Sequence, residues 1–242
     1  MYNLEIIYED DSILVINKPA GLAVQGGEGV KISVDKLASQ LKQRSQMVPG
    51  TISDTAADTA AVVTPLLVHR LDKDTSGVLL MAKGREEAAR FSRLLSGRET
   101  SKKYIAVCAG RPKDDKGIIK DELFIHGNPK KSETRYKVLK SDNINLNSDE
   151  LFEYSILELE LETGRMHQIR RHLAMHGNPV LGDDKYGDFK LNKKLRKTMG
   201  LKHLLLHAWQ LIINSEYRLD VKAPLPEYFL KYEAFDKLRF FF

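Results

Sequence analysis

The sequence predicts an α+β fold built on a mixed, largely antiparallel sheet with flanking helices. Three observations point there. Leu157–Leu161 alternates strictly, its leucines facing one way and Glu158 and Glu160 the other, as in an antiparallel strand with one solvated face. Short apolar runs bounded by turn residues recur along the chain. Helical spacing is confined to a few scattered segments, so no regular strand–helix alternation emerges.

Taken in order, Ile13–Ile16 is a β-branched strand that leaves through the turn Lys18-Pro19-Ala20-Gly21. Ser33 is placed to cap a short helix whose Val34, Leu37 and Leu41 follow i, i+3, i+7 spacing. Residues 44–65 carry scattered Thr and Ala and no aromatic residue. They have little to bury and are expected to form a mobile surface loop. Leu66–Val68 and Gly77–Met81 are apolar runs around the polar stretch His69–Ser76. Arg85–Leu95 places Ala88, Phe91, Leu94 and Leu95 on one helical face. Tyr104–Val107 and Thr134–Leu139 read as strands, and Met166–Met175 fits a helix that exposes Arg170 and Arg171. Leu204–Ile213 is a further strand and Tyr228–Phe240 a closing helix.

A chain of 242 residues, 42% apolar and 29% charged, is long enough for a sizeable core and is neither collagenous nor wholly disordered. It holds no apolar run of membrane-spanning length, and Met1–Glu5 lacks the features of a signal peptide, so a cytoplasmic location is expected. The single Cys108 excludes an internal disulfide framework and a cysteine-based zinc cluster. Net charge is +5, and its distribution says more than its sum. Between Phe189 and Ser215 there is no acidic residue, but Lys190, Lys193, Lys194, Arg196, Lys197 and Lys202 are basic; Arg165, Arg170 and Arg171 form another cluster. Such runs are either solvated faces or contacts for a polyanion.

The densest polar cluster is His69-Arg70-Leu71-Asp72-Lys73-Asp74-Thr75-Ser76-Gly77, held between two apolar runs, where a scaffold often presents functional groups. It resembles the catalytic loop (His-Arg-Leu-Asp-x-x-Thr-Ser-Gly) of the RluA-type pseudouridine synthases. Other stretches resemble that family's motifs in the same order: Asp11–Gly21, Lys103-Tyr104-Ile105-Ala106, Gly164–His172, Gly182–Gly187 and Leu206-His207-Ala208. Pro129–Tyr136 and Asp183–Asp188 look most like the large-subunit ribosomal RNA pseudouridine synthase C branch. The resemblance implies one catalytic domain over residues 1–242, without the N-terminal S4-type RNA-binding domain that members of this branch often carry.

It further implies isomerisation of specific uridines in RNA. The favoured substrate is large-subunit (23S) ribosomal RNA, with transfer RNA the other candidate. Neither cofactor nor metal is expected, and the chain is expected to act as a monomer. Asp72 matches the carboxylate at the glycosidic carbon. Arg165 matches the fixed cation that keeps such a carboxylate charged, a role suited to arginine because it stays protonated when desolvated. Tyr104 matches the residue that stacks on the base and assists loss of the C5 proton. Leu206 would line the apolar side. Arg70 would fill the space left by the flipped base or, alternatively, form a salt bridge inside its loop. His167 and Arg170 would contact phosphates or brace their loop, and Lys193, Lys194, Arg196 and Lys197 would contact the RNA backbone.

Two other readings use the same residues. Asp72-Lys73-Asp74-Thr75-Ser76 and Val180–Asp183 resemble motifs of Mg²⁺-dependent haloacid-dehalogenase-type phosphatases. That fold alternates parallel strands with helices, against the pattern of Leu157–Leu161. A non-catalytic RNA-binding module would explain the basic runs but not the company of Asp72, Arg165 and Tyr104.

Overall fold

The computed structural model describes residues 4–41, 64–147 and 150–231. The expected loop 44–65, apart from Thr64 and Pro65, and the closing helix beyond residue 231 lie outside these residues. The strands are β1 (Glu5–Glu9), β2 (Ile13–Lys18), β3 (Pro65–Leu67), β4 (Ser76–Lys83), β5 (Thr100–Ala109), β6 (Lys116–Ile125), β7 (Asn128–Asn147), β8 (Glu150–Leu161), β9 (Leu206–Asn214) and β10 (Arg218–Lys222). The helices are α1 (Val34–Leu41), α2 (Arg85–Ser96), α3 (Gln168–Met175), α4 (Phe189–Met199) and α5 (Glu227–Leu230).

All ten strands join one sheet in the order β1-β2-β4-β9-β5-β8-β7-β6, with β3 on β4 and β10 on β9. Every pairing is antiparallel except β4 with β9, so the sheet is mixed as the sequence predicts. Its central strands are covered on both sides, which is why β2 and β4 read as continuous apolar runs. Along β5, Tyr104, Ala106 and Cys108 join a core with Leu157, Leu159, Ile169 and Leu206. Ile105 and Val107 point the other way, into a core completed by Leu195 of α4. On that same second side, Phe91 and Leu95 of α2 meet Ile13, Val15, Leu80 and Leu211.

The parallel contact is short. Ser76 pairs with His207 and Gly77 with Ala208. Beyond it β4 takes β3 as its neighbour, Leu67 opposite Met81, while β9 takes β10, Gln210 opposite Lys222. The sheet therefore divides between β4 and β9, and the loop from His69 to Thr75 enters at the division.

The expected helix Met166–Met175 starts later, at Gln168, because His167 adopts a left-handed φ of 53°. It does not expose Arg170, whose side chain is 4% accessible. Asp183 draws that side chain inward through two hydrogen bonds, described below. No helix among the described residues is long and apolar enough to cross a membrane.

Candidate active site

Two anchors place the loop that carries Asp72. His69 Nε2 accepts a hydrogen bond from the Leu80 N–H of β4 (2.9 Å), and burial pushes its pKa down to about 3, so the ring stays neutral. On the other side the turn after β2 grips the loop. The Gly21 N–H donates to Lys73 O (2.9 Å), and Lys18 Nζ donates to Lys73 O (2.9 Å), Leu22 O (2.8 Å) and Pro19 O (2.8 Å). Burial pulls this fully enclosed ammonium down to about 7, whereas Asp74, Asp72 and the three carbonyl acceptors favour its charged form. Lys18 thus ties down the residue next to Asp72.

The cation beside Asp72 is Arg170, not Arg165. Arg170 Nη1 stands 3.6 Å from Asp72 Oδ2, and His167 Nε2 stands 3.7 Å from Oδ1. Arg165 instead lies at the exposed cleft rim, where its Nε donates to Lys131 O (3.3 Å). The exchange has a physical cause. Arg170 is the seventh residue of the Gly164-Arg165-Met166-His167-Gln168-Ile169-Arg170 run, and α3 turns it inward toward Asp183. Arg170 Nε and Nη2 donate to Asp183 Oδ2 and Oδ1, both at 2.7 Å, a bidentate fork. Asp183 also accepts from the backbone N–H groups of Lys185 (2.9 Å) and Tyr186 (3.0 Å). Burial alone would raise the Asp183 carboxyl, but these donors hold it below the ordinary carboxylate value. Burial likewise opposes the Arg170 charge, and Asp183, Asp72 and Asp184 outweigh it, leaving the guanidinium above its usual pKa.

The loop before α3 is held by Gln168, whose Oε1 accepts from the Arg165 N–H (3.0 Å) and Thr163 Oγ1 (2.7 Å). Its Nε2 donates to Glu133 O and Thr134 Oγ1, both at 2.9 Å. His172 is buried and hydrogen-bonded to Thr134 Oγ1 (2.9 Å) and Ser132 Oγ (2.8 Å), so it braces α3 against β7. His167 bonds Tyr186 OH through Nδ1 (2.9 Å), and burial keeps its pKa below the usual histidine value, aided by Arg170 and Lys185 and opposed by Asp72.

These groups surround a cleft of about 670 Å³ whose lining includes Asp72, Tyr104, His167, Arg170 and Leu206. That is within the range of roughly 300–1,000 Å³ typical of ligand sites. Tyr104 comes from β5 just past a register shift after Lys103, and Leu206 from the adjoining β9. Burial pushes the Tyr104 phenol well above its ordinary pKa, and the charge of Asp72 adds to the shift, so the hydroxyl keeps its proton. Tyr104 therefore offers an aromatic face and a donor rather than a standing base. Arg70 is exposed at the rim and, among the described residues, forms no salt bridge inside its loop.

Lys193, Lys194, Arg196 and Lys197 are not in this cleft. They lie on α4, which packs through Leu195 on the side of the sheet opposite Tyr104, and Lys194 there pairs with Glu150. The residues that sequence reasoning missed are Asp183 as the clamp of Arg170 and Lys18 as the staple of the loop. The only sequence signal for either was its place within a quoted motif.

The chain belongs to the RNA pseudouridylate synthase family, whose profile matches residues 12–175. It is an enzyme that isomerises uridine to pseudouridine in RNA. The chain is 35% identical to a ribosomal large subunit pseudouridine synthase C of Rickettsia bellii, covering 93% of this chain and 69% of the relative. To the protein of that description from Rickettsia typhi it is 36% identical, over 90% of this chain and 68% of the relative. Among solved structures, human RNA pseudouridylate synthase domain containing 4 superposes with a TM-score of 0.73 at 26% identity, covering 97% of this chain and 93% of that one. The phosphatase and the non-catalytic module are thereby set aside. The structure supplies a reason against the first: Asp183, needed there as a magnesium ligand, is occupied by Arg170.

Proposed function

We propose that the substrate is large-subunit ribosomal RNA, that residues 1–242 act as one catalytic domain, and that Asp72 is the carboxylate engaging C1′ of the target uridine. The observation carrying this reading is the chain of contacts Asp72–Arg170–Asp183 at the edge of a cleft also lined by Tyr104 and Leu206. The names of the bacterial relatives support the choice of RNA.

The uridine leaves its stack at a cost of a few kcal/mol and enters the cleft. Arg70, exposed at the rim, is placed to occupy the vacated position. As the N1–C1′ bond breaks, Asp72 meets the developing charge at C1′, and the fixed guanidinium of Arg170, 3.6 Å away, keeps the carboxylate aimed. Tyr104 stacks on the freed uracil and Leu206 closes its apolar side while the base turns. C5 then bonds to C1′, the C5 proton leaves and N1 is protonated, so atoms balance without oxidant or imported group.

Asp72→Asn keeps the shape and removes the charge. It should form no detectable pseudouridine in large-subunit ribosomal RNA while binding that RNA within about twofold of the parent protein. Full turnover by this variant would refute the assignment of Asp72. Mapping pseudouridines in RNA from cells with and without the protein tests the substrate: loss confined to transfer RNA would overturn the ribosomal choice.

A further inference from the structure

Positive charge collects in two places: the cleft, lined by Arg70, Arg98, Lys102, Arg165 and Arg170 against Asp72 and Glu162, and a second segment remote from it. Residues 189–202 hold six of the 38 Lys and Arg residues and no Asp or Glu. Without them the remainder carries 32 basic residues against 33 acidic ones, close to neutral. A second basic surface, separate from that of the cleft, therefore sits on α4 and the turn after it. That helix packs on the side of the sheet facing away from Tyr104.

Helix stability does not account for this charge. Asp188 caps α4 by accepting from the Leu191 N–H (3.0 Å), Gly200 ends it with a left-handed φ of 72°, and Leu195 anchors it. Arg196 and Lys197 in the last turn suit the helix dipole, but Lys190 and Lys193 in the first turns oppose it. Lys193 also faces Arg196 and Lys197 at i, i+3 and i, i+4, where like charges repel. Lys190, Lys193, Arg196 and Lys197 are all exposed, and none forms an ion pair among the described residues. Phe189 beside them leaves 62% of its surface open. Four unpaired cations kept together against their mutual repulsion, next to an exposed aromatic ring, form a surface suited to phosphates and an unstacked base.

The surface is also tied to the active site. Asn192 Nδ2 donates to Asp183 O (2.9 Å), and the Gly182 N–H donates to Asn192 Oδ1 (2.9 Å). The start of α4 is thus fixed to the segment that clamps Arg170.

We propose that α4 is a second RNA-docking surface, on which Lys190, Lys193, Arg196 and Lys197 hold the phosphate backbone of a part of the substrate remote from the target uridine. The inference rests on the ribosomal RNA reading and adds to it a size requirement: only an RNA that extends from the cleft round to the other side of the sheet engages both surfaces. A short stem–loop carrying the target uridine reaches the cleft alone.

The test compares the parent protein with K190Q/K193Q/R196Q/K197Q on two RNAs, a folded large-subunit ribosomal RNA domain and a short stem–loop cut from around a mapped target. On the domain, the slope of log Kd against log salt should fall by about 3, at roughly 0.7–0.9 per lost phosphate contact. On the stem–loop the two proteins should bind alike. The milder K190Q/K193Q should lose about half as much slope on the domain, which keeps the test open should the fourfold variant fold poorly. Equal slopes on the domain, or an equal loss on both RNAs, would overturn the proposal. So would unchanged RNA binding accompanied by docking of the parent protein, but not the variant, on anionic lipid vesicles. Absence of any pseudouridine formation by the parent protein on ribosomal RNA would instead reject the reading on which the inference rests.

Discussion

Asp72 and Asp183 share one guanidinium: Arg170 gives Asp183 two hydrogen bonds of 2.7 Å and stands 3.6 Å from Asp72 with its remaining nitrogen. The two carboxylates play unlike parts. Asp183 is 1% exposed and spends its lone pairs on Arg170 and two backbone N–H groups, so it fixes the guanidinium. Asp72 is 21% exposed and faces the cleft.

This division makes Arg170 irreplaceable by lysine. Arg170→Lys keeps the charge but not the planar fork, so it cannot satisfy both Asp183 oxygens and still face Asp72. Turnover on ribosomal RNA should fall by about 100-fold, the scale of an ångström's misplacement at a reacting centre. Arg165→Gln, at the exposed rim, should stay close to the parent protein. Equal losses in single-turnover assays would return the cation's role to Arg165.

Lys18 supplies the second prediction. Lys18→Met removes the donor shared by Pro19 O, Leu22 O and Lys73 O, and unsatisfied buried carbonyls cost about 1–3 kcal/mol each when not relieved by water. Urea unfolding should show a loss of about 3 kcal/mol. The same variant should turn over more slowly even where it is fully folded, because Lys73 adjoins Asp72. Lys18→Arg should not rescue it, since the enclosed site has no room for the larger head. Unaltered turnover in folded Lys18→Met would reduce Lys18 to a purely structural contact.

Much of this site is legible in the sequence. Asp72, Tyr104 and Leu206 converge because each belongs to an ordered motif on an apolar strand or beside one. Arg165 and Arg170 were not separable in the same way. Both lie in one basic motif, and the choice depends on Asp183, whose approach to α3 is a matter of tertiary packing. Helix α4 did carry local signals: Asp188 before it, Gly200 after it, and Leu191, Leu195 and Met199 at i, i+4, i+8. Its dense lysines and Arg196 crowd that period with charge on most of the exposed positions. Strand β6 escapes for a different reason, although part of its partner β7 is legible as Thr134–Leu139. Burial alternates strictly along β6, but residue type does not follow it: Ile118 and Phe124 stand on the exposed face, Gly117 and Asp121 on the covered one.

Two desolvated histidines, half-buried His69 and buried His207, set the acid limit. In the fold, burial pushes His69 to about 3 and His207 to about 4, while the unfolded chain takes up these protons near the ordinary value of 6.5. Between pH 6.5 and 4 the unfolded state thus binds more protons, and stability falls as pH falls. The slope should reach at most about 1.4 kcal/mol per pH unit for each histidine. Urea midpoints measured from pH 7 downward should show the decline, and His69→Gln, which retains an acceptor for the Leu80 N–H, should flatten it. An identical slope in that variant would assign the acid sensitivity to other groups.

Gly77 controls the division of the sheet. Its φ is +113°, and a Cβ built there would lie 2.1 Å from Ala208 O, inside the parallel contact of β4 with β9. Neither the left-handed conformation nor the approach of a backbone oxygen tolerates a methyl group. Gly77→Ala should therefore push β9 away from β4, at the place where Ser76 Oγ also bonds His207 Nδ1 (2.8 Å) and Tyr228 OH (2.9 Å). A destabilisation above about 3 kcal/mol is expected, more than a glycine change confined to backbone entropy produces. Leu206 follows β9, so any folded fraction should bind RNA yet turn it over poorly as the apolar wall of the cleft shifts. Gly21→Ala is the comparison: φ is +82° there, but no atom lies within 4 Å of the added Cβ. It should cost only the backbone strain, about 1–2 kcal/mol. Equal unfolding midpoints for the two variants would show that the close approach at Ala208 contributes nothing beyond the positive φ.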